Sequence, residues 1–212
     1  MIIGGQKMEY IFRLFIRNKI PLLVFISGIF VIGVVFGAFA IESVNFTVRQ
    51  DLFEYFNDFL QEYEDIEFEK SNLISESTRF NLLVILFIWI FGASVVVMPL
   101  VPVLVFFKGF VLGFTIGFLI SKFEFQGILL AVATVFPQNL LIVPAYILAG
   151  LTAVDFSFRI IKHYRGKLNL TFGDFFDYTS KIIFLGFILM AASLIESFLI
   201  PHVFRLIIYL TG

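Results

Sequence analysis

One carboxylate lies inside the long apolar segments of this chain. Glu196 is about two-thirds of the way along an apolar run that begins at Ile182. A charge inside a long apolar helix is costly, so it is usually paired or functional. Three interpretations follow: a structural ion pair with Lys108 or Lys122, a surface position if Pro201 ends the helix early, or a site that carries protons or ions.

Two amides lie in another apolar run, between two prolines. Gln138 and Asn139 follow Pro137 directly, and Pro144 comes seven residues after Pro137. Proline removes a backbone N–H and clashes with the preceding turn, so this spacing predicts an unwound helix. Irregular backbone is tolerated in an apolar environment only where protein or trapped water satisfies it. We therefore expect the two amides to bond the freed backbone groups.

The chain carries none of the usual arrangements for enzymatic chemistry. It has no cysteine and only two histidines, His163 and His202, which excludes thiol catalysis and His-rich metal sites. Neither a Gly-rich phosphate loop nor an HExxH or GxSxG motif is present. Lone hydroxyls such as Ser193 are expected to bond to the helix backbone. The sequence predicts a protein that is not an enzyme, uses no cofactor or metal and binds no nucleic acid.

The elements that must position these residues are membrane-spanning helices. The chain of 212 residues is 60% hydrophobic but only 15% charged, whereas soluble domains are about 25% charged. A spanning helix needs about 20 apolar residues. Uncharged runs of this kind occupy residues 21–41, 80–107, 109–121, 125–154 and 182–195. The prediction is an all-α, polytopic membrane protein with one integral domain in the lipid bilayer.

Charge asymmetry orients this domain. Residues 1–20 carry four basic residues and one acid, residues 42–79 carry ten acids and three basic residues, and residues 155–181 carry five basic residues and three acids. Lys and Arg favour the cytoplasmic side. The N-terminus and residues 155–181 are therefore predicted to be cytoplasmic, with the cations of the latter as a topology signal beside anionic lipid. The acidic loop 42–79 is predicted to be external.

This orientation requires about five crossings. Pro99 and Pro102 predict a kink or break in the second apolar run. The C-terminus is then external. The predicted segments are helix one at 21–41, helix two at 80–107, helix three at 105–121, broken helix four at 126–154, helix five at 182–200 and an external tail at 201–212.

Small residues predict close helix contacts. Gly109, Gly113 and Gly117 form a GxxxGxxxG ridge in helix three, and Gly33 and Gly37 form a GxxxG in helix one. This spacing lets helices approach closely in lipid. The ridge can pack within the bundle or across a homodimer; a pore or ligand surface is the alternative.

An amphipathic helix is predicted in the external loop, over residues 51–64. Acids fill one of its faces, which argues against an electrostatic lipid anchor. The helix is either a lid packed on the bundle or a docking surface for an extracytoplasmic partner. Its apolar face holds residues at helical spacing: Leu52, Phe56, Phe59, Leu60 and Tyr63.

Short motifs occur over nearly the whole chain. They are Phe36-Gly37-Ala38, Asp51-Leu52-Phe53, Trp89-Ile90-Phe91-Gly92, Lys108-Gly109 with Gly113-Phe114-Thr115, Pro137-Gln138-Asn139-Leu140-Leu141 with Pro144-Ala145-Tyr146, and Ala191-Ala192 before Ile195-Glu196. In this combination the chain resembles the stage II sporulation protein M family of bacterial membrane proteins. The wider family often has His-Gly after the first of these prolines and Glu three residues later, where this chain has Gln138, Asn139 and Ile142.

The resemblance implies a role in endospore formation. In that family, protein M is the polytopic membrane member of a peptidoglycan-degrading engulfment complex, and its partners are stage II sporulation proteins D and P. The first hypothesis is thus a membrane scaffold that recruits wall hydrolases at the sporulation septum. The alternative is a small transporter or channel component that uses the broken helix and Glu196.

Overall fold

The computed structural model of this chain is built from helices. It describes the backbone of residues 3–65 and 70–211, and the side chains of residues 19–58, 79–133 and 135–194. No strand occurs in the described part of the chain, so the predicted all-α class is confirmed. The helices are α1 (Ile3–Ser43), α2 (Phe46–Asp65), α3 (Lys70–Gly92), α4 (Leu100–Tyr164) and α5 (Phe172–Thr211).

Long apolar segments make this a multi-pass membrane protein. Many of their Phe, Leu, Ile and Val side chains are exposed, as expected where lipid replaces water around the bundle. A shorter apolar segment, Arg79–Gly92, forms the second half of α3. Within the described residues, four segments are long and apolar enough to cross a bilayer: Lys19–Ser43, Leu100–Ala133, Val135–Tyr164 and Phe172–Leu194.

The chain reverses direction within α4, at Glu124. This residue has φ 50° and ψ −123°, a conformation that L residues other than glycine rarely adopt. Beyond it, Gly127 lies so close to the Leu119 carbonyl that a Cβ would overlap it. Leu119 also packs against Ala131 and Val135. α4 is therefore a helical hairpin, with a first segment at 100–123 and a second at 125–164.

The predicted break between Pro137 and Pro144 is wrong. The second segment of α4 passes through both prolines, and within α4 non-helical backbone angles occur at Glu124 instead. Each proline removes one N–H donor, so the carbonyls four residues earlier, those of Ala133 and Leu140, lose their helix donor. Asn139 Nδ2 donates to a different carbonyl of the same helix, that of Val135, at 2.7 Å. The predicted role of Gln138 and Asn139 in bonding the groups freed by the prolines stays a prediction.

The predicted helix two at 80–107 is divided between two elements. α3 ends at Gly92, and α4 begins at Leu100 after a turn that closes at Pro99. The break expected near Pro99 is confirmed. Side chains of the neighbouring helices satisfy the last carbonyls of α3, because Tyr178 donates to the Trp89 carbonyl at 2.8 Å and Ser157 to that of Gly92 at 2.6 Å. These bonds allow a helix to end inside the bundle.

Other boundaries also differ from those predicted. Most of residues 155–181 is helical, because α4 continues to Tyr164 and α5 begins at Phe172. The tail predicted at 201–212 continues the α5 helix to Thr211. Thr171 starts α5, since its N–H and hydroxyl both donate to Asp174 Oδ2, at 2.9 and 2.7 Å. The bond from the Thr171 N–H is one half of a capping box, in which the acid three residues after Thr accepts from the Thr backbone N–H.

The glycine ridges of α1 and α4 pack against each other. A Cβ at Gly33 or Gly37 would overlap the backbone of α4, and one at Gly109 or Gly113 would overlap the backbone of α1. At Gly117 it would lie 2.6 Å from the Ala38 carbonyl oxygen. The close approach predicted from the GxxxG spacing is therefore confirmed, and it lies within one chain.

The two ends of the bundle are marked by polar contacts between distant parts of the chain. Lys19 Nζ donates to Asp155 Oδ2 at 2.8 Å, which places the start of the α1 span beside the end of the α4 hairpin. At the opposite end, Lys122 Nζ donates to Asn57 Oδ1 of α2 at 2.6 Å. The start of the α1 span and residues 155–181 therefore lie at one end of the bundle and α2 lies at the other, which agrees with the predicted separation of the basic segments from the acidic loop. Which end faces the cytoplasm stays a prediction.

Candidate functional site

Asn81 is the centre of a buried polar cluster where α3, α4 and α5 meet. It is 3% exposed, and Tyr146 and Ser193 are fully buried. Asn81 Nδ2 donates to Ser193 Oγ at 3.1 Å, and its Oδ1 accepts from the Tyr146 hydroxyl at 2.8 Å. Ser193 in turn donates to the carbonyl of Leu189 at 3.0 Å. A single amide thus connects three helices.

Lys108 brings a positive charge to this cluster. Its Nζ donates to Asn81 Oδ1 at 3.2 Å and lies 4.9 Å from the ring centre of Tyr146 and 5.5 Å from that of Phe80. Aromatic faces and carbonyl oxygens both attract a cation. Lys108 is eight residues beyond Leu100, about 12 Å along the helix axis, so the charge lies well inside the bundle.

A cavity of about 380 Å³ lies beside Lys108, between α3 and the two segments of α4. Water binds in a cavity that offers both room and two to four polar partners, so this one can hold ordered water or a small polar ligand. Apolar residues form the rest of its wall. The polar lining consists of Asn81, Lys108, Thr115, Gln138 and Asn139.

The structure thus brings together three residues that the sequence singled out separately: Lys108, Gln138 and Asn139. Pro137 lies directly before this pair of amides. Pro144 instead lines a neighbouring apolar cavity of about 440 Å³. The polar cavity therefore unites a cation from the first segment of α4 with amides from the second.

The remaining predicted residues lie elsewhere or outside the described side chains. The ridge of Gly109, Gly113 and Gly117 packs against α1. The side chain of Glu196 lies outside the described residues. Its place on α5 is three positions after Ser193, so its pairing with Lys108 stays a prediction.

Asn81 was not singled out from the sequence, and Tyr146 was named only as part of the Pro144-Ala145-Tyr146 motif. Each is an uncharged polar residue in or beside an apolar run, and nothing in the spacing marks them. Ser193 was expected to bond to its own helix; it does so, and it also accepts from Asn81. A search of the sequence for polar residues inside the apolar runs could have identified Asn81, but it could not have identified its partners.

At the opposite end of the bundle from Lys19, α2 packs against the turn of the α4 hairpin. The rings of Phe53 and Phe56 each lie 5.4 Å from that of Phe118. Lys122 Nζ donates to the Phe53 carbonyl at 3.0 Å and lies 4.2 Å from the Phe56 ring centre. Aromatic contacts, a cation and a hydrogen bond to Asn57 therefore hold α2 in place.

The contacts of α2 with the bundle involve part of its predicted docking face. Phe56 contacts the bundle and Leu52 is half-buried, so the lid interpretation holds for that face. The side chains of Phe59, Leu60 and Tyr63 lie outside the described residues. The face that is open to solvent carries Asp51, Glu54, Tyr55 and Asp58.

Among the described residues, no group of three or more His, Cys, Asp or Glu side chains could hold a metal ion.

Comparisons with curated proteins and with solved structures found no match. The sequence model of one family, stage II sporulation protein M, matches residues 24–201. That range covers most of the chain and contains both the Asn81 cluster and α2. The chain therefore belongs to the stage II sporulation protein M family and is a sporulation-related membrane protein.

Proposed function

We propose that this protein is a non-enzymatic membrane scaffold that recruits peptidoglycan-degrading proteins to the septum during engulfment. Stage II sporulation proteins D and P are its proposed partners. Family membership supports the sporulation setting. In this proposal the end of the bundle that carries α2 faces away from the cytoplasm, towards the cell wall.

The observation that carries the proposal is the fixed position of α2. Lys122 and Phe118 fasten its inner face to the bundle, so the outer face is presented in one orientation. That face offers three acids and an aromatic ring, with Tyr55 74% exposed. A preorganised surface binds a partner at lower entropic cost than a mobile loop, which is what recruitment requires.

Co-purification from sporulating cells tests this proposal. The variant Asp51→Asn/Glu54→Gln/Asp58→Asn removes three outward charges and leaves the inner contacts of α2 intact. We expect it to recover about tenfold less of the wall hydrolases, because three exposed charge pairs at roughly 0.5 kcal/mol each sum to about 1.5 kcal/mol. The matched control, Asp177→Asn/Lys181→Gln, changes two exposed charges at the other end of the bundle and should recover partners like the parent.

Two results would contradict the scaffold proposal. If wall hydrolases never co-purify with the parent protein, recruitment is wrong. If the α2 variant and its control recover partners equally, the scaffold does not bind through the outer face of α2.

A small transporter or channel component is the second candidate, and the polar cavity beside Lys108 favours it. The continuous helix through Pro137 and Pro144 removes the broken helix that had also supported this function. Purified protein in liposomes that contain a pH-sensitive dye would test it. Proton flux above that of protein-free liposomes, and lost in Lys108→Met, would favour transport over a scaffold.

A further inference from the structure

The end of the bundle that holds Lys19 and Asp155 contains two kinds of cation. The first kind is paired. Each of the three carboxylates described at this end lies close to a Lys or Arg, so local acids are already neutralised by local bases. The pairs and their N–O distances are Lys19–Asp155 at 2.8 Å, Arg159–Asp155 at 3.2 Å, Arg159–Asp174 at 3.7 Å and Lys181–Asp177 at 2.5 Å.

The second kind of cation is not neutralised. Lys162, Arg165 and Lys167 are exposed, and no carboxylate of the described residues lies within ion-pair distance of them. All three fall within six consecutive residues, where α4 ends. Among the described residues, this turn therefore has a net positive charge.

The backbone of this turn is well ordered by its own hydrogen bonds. Gly166 has φ 66° and donates to the His163 carbonyl at 2.9 Å, and the Lys167 N–H donates to the Lys162 carbonyl at 2.9 Å. These are the two bonds of a Schellman cap, which uses glycine because an L side chain disfavours positive φ. Leu170 N–H also donates to His163 Nδ1 at 3.1 Å. The cations therefore project from a preformed turn.

Exposed aromatic rings flank the three cations. Tyr164 is 82% exposed, Phe172 is 83% and Phe176 is 67%. Large rings are costly to leave in water, whereas aromatic residues are enriched where protein meets the membrane–water interface. Cations next to exposed rings are the composition of a surface that lies on a charged bilayer.

The turn lies at the end of Val135–Tyr164, a segment that is long and apolar enough to cross a bilayer. Lys162 is seven residues beyond Asp155, about 10 Å along the helix axis. The headgroup layer extends roughly 5–7 Å beyond the hydrocarbon core, and electrostatic attraction reaches about 8 Å further at physiological salt. Flexible Lys and Arg side chains therefore reach anionic headgroups from this turn.

We propose that residues 162–176 form a binding surface for anionic phospholipid headgroups. Lys162, Arg165 and Lys167 bind the phosphates, and Phe172 and Phe176 enter the adjacent acyl region. An acidic protein would match the cations but would not explain the exposed rings, so lipid is the favoured occupant. This surface lies at the opposite end from α2 and is independent of the scaffold proposal.

The test uses the full-length protein, purified in a neutral detergent and titrated with fluorescent phosphatidylglycerol or phosphatidylcholine. We expect the parent to bind phosphatidylglycerol more tightly. Lys162→Gln/Arg165→Gln/Lys167→Gln should weaken this binding by on the order of 100-fold, since each cation near an anionic surface contributes roughly fivefold. The matched control, Asp177→Asn/Lys181→Gln, removes a paired acid and base at the same end and should bind like the parent.

Further measurements separate the remaining explanations. Lys167→Gln alone should give an intermediate loss, which guards against misfolding of the triple variant. Free glycerol phosphate in excess should not displace the lipid, because it lacks the acyl chains that meet Phe172 and Phe176. Equal binding of both lipids, an unchanged triple variant, or full displacement by glycerol phosphate would each overturn the proposal. Preferential binding of an acidic peptide over the lipid would overturn it as well.

Discussion

Asn81 shows how one amide organises the interior of this bundle. Both polar atoms of its side chain are used, with Nδ2 bonded to Ser193 and Oδ1 shared by Tyr146 and Lys108. An apolar residue at this position would remove the side-chain oxygen that accepts from both Tyr146 and Lys108. Asn81 therefore stabilises the bundle mainly by providing an acceptor for Tyr146 and Lys108.

The first prediction concerns Asn81→Leu. Removing the shared acceptor should destabilise the folded protein by about 1–3 kcal/mol, because it removes buried hydrogen bonds, one of them from a charged group. Thermal unfolding in detergent measures it. The control is Thr115→Val, which lines the same cavity but whose hydroxyl donates to its own helix, to Val111 at 2.9 Å. Equal melting temperatures for the two variants would show that the cluster does not stabilise the fold.

The second prediction separates scaffold from transporter through Glu196. Glu196→Gln keeps the size and one acceptor but removes the charge, so a scaffold should retain most of its partner recruitment and engulfment. Glu196→Leu should lose more, because it removes the acceptor as well. Engulfment is scored by microscopy of sporulating cells, and recruitment by co-purification. Normal recruitment with complete loss of engulfment in Glu196→Gln would move transport to first place.

At the scale of elements, the contact between α1 and the first segment of α4 depends on glycine. The backbones approach so closely that a Cβ at Gly113 would overlap the carbonyl of Val34. Because lipid supplies no hydrophobic driving force between helices, such association relies on van der Waals contact between surfaces of small residues. The ridge is used within the chain, which leaves the homodimer interpretation without its proposed surface.

The third prediction compares two glycine-to-alanine changes. Alanine is favoured over glycine in a helix by about 1 kcal/mol. A Gly→Ala change that lowers stability therefore indicates that the added Cβ has no room. Gly28→Ala should be neutral or stabilising, since nothing lies within 4 Å of its added Cβ. Gly113→Ala should lower the melting temperature in detergent, and Gly113→Leu should disrupt assembly. A Gly113→Ala protein as stable as Gly28→Ala would mean that the two helices separate without cost.

At the scale of the whole molecule, polar contacts join distant parts of the chain at each end of the bundle. Lys19 and Asp155 pair at one end, and Lys122 fastens α2 at the other. Two contacts between distant parts of the chain therefore fix which loops share a side. Five helical segments lie between these ends in chain order: α1, α3, the two segments of α4, and α5.

The fourth prediction is the orientation of those ends. Single cysteines at positions 64, 165 and 212 can be introduced into a chain that has none. In intact cells an impermeant thiol reagent should label positions 64 and 212, and position 165 only after permeabilisation, because the Lys- and Arg-rich end stays cytoplasmic. Labelling of position 165 in intact cells would refute both the orientation and the five-crossing topology.

Local features of the sequence predicted much of the fold and part of the site. Charge-free runs predicted the spans, GxxxG spacing predicted the contact of Gly113 with α1, and alternating apolar and acidic residues predicted α2. These properties act over a few turns of helix, so a single segment reveals them. The error at Pro137 and Pro144 has the same origin: proline disfavours helix locally, but packing in the α4 hairpin outweighs the loss of single hydrogen bonds.

The sequence by itself determined that this is a helical membrane protein, because hydropathy acts on each segment independently of its neighbours. The side of the membrane on which each loop lies was predicted from charge. The tertiary structure alone decided that the chain reverses at Glu124, that α2 lies on Lys122, and that Asn81, Lys108, Tyr146 and Ser193 meet. These four residues are separated by up to 112 positions. Their hydrogen bonds depend on how three helices pack, and no periodicity within one helix encodes which polar residue of another will face it.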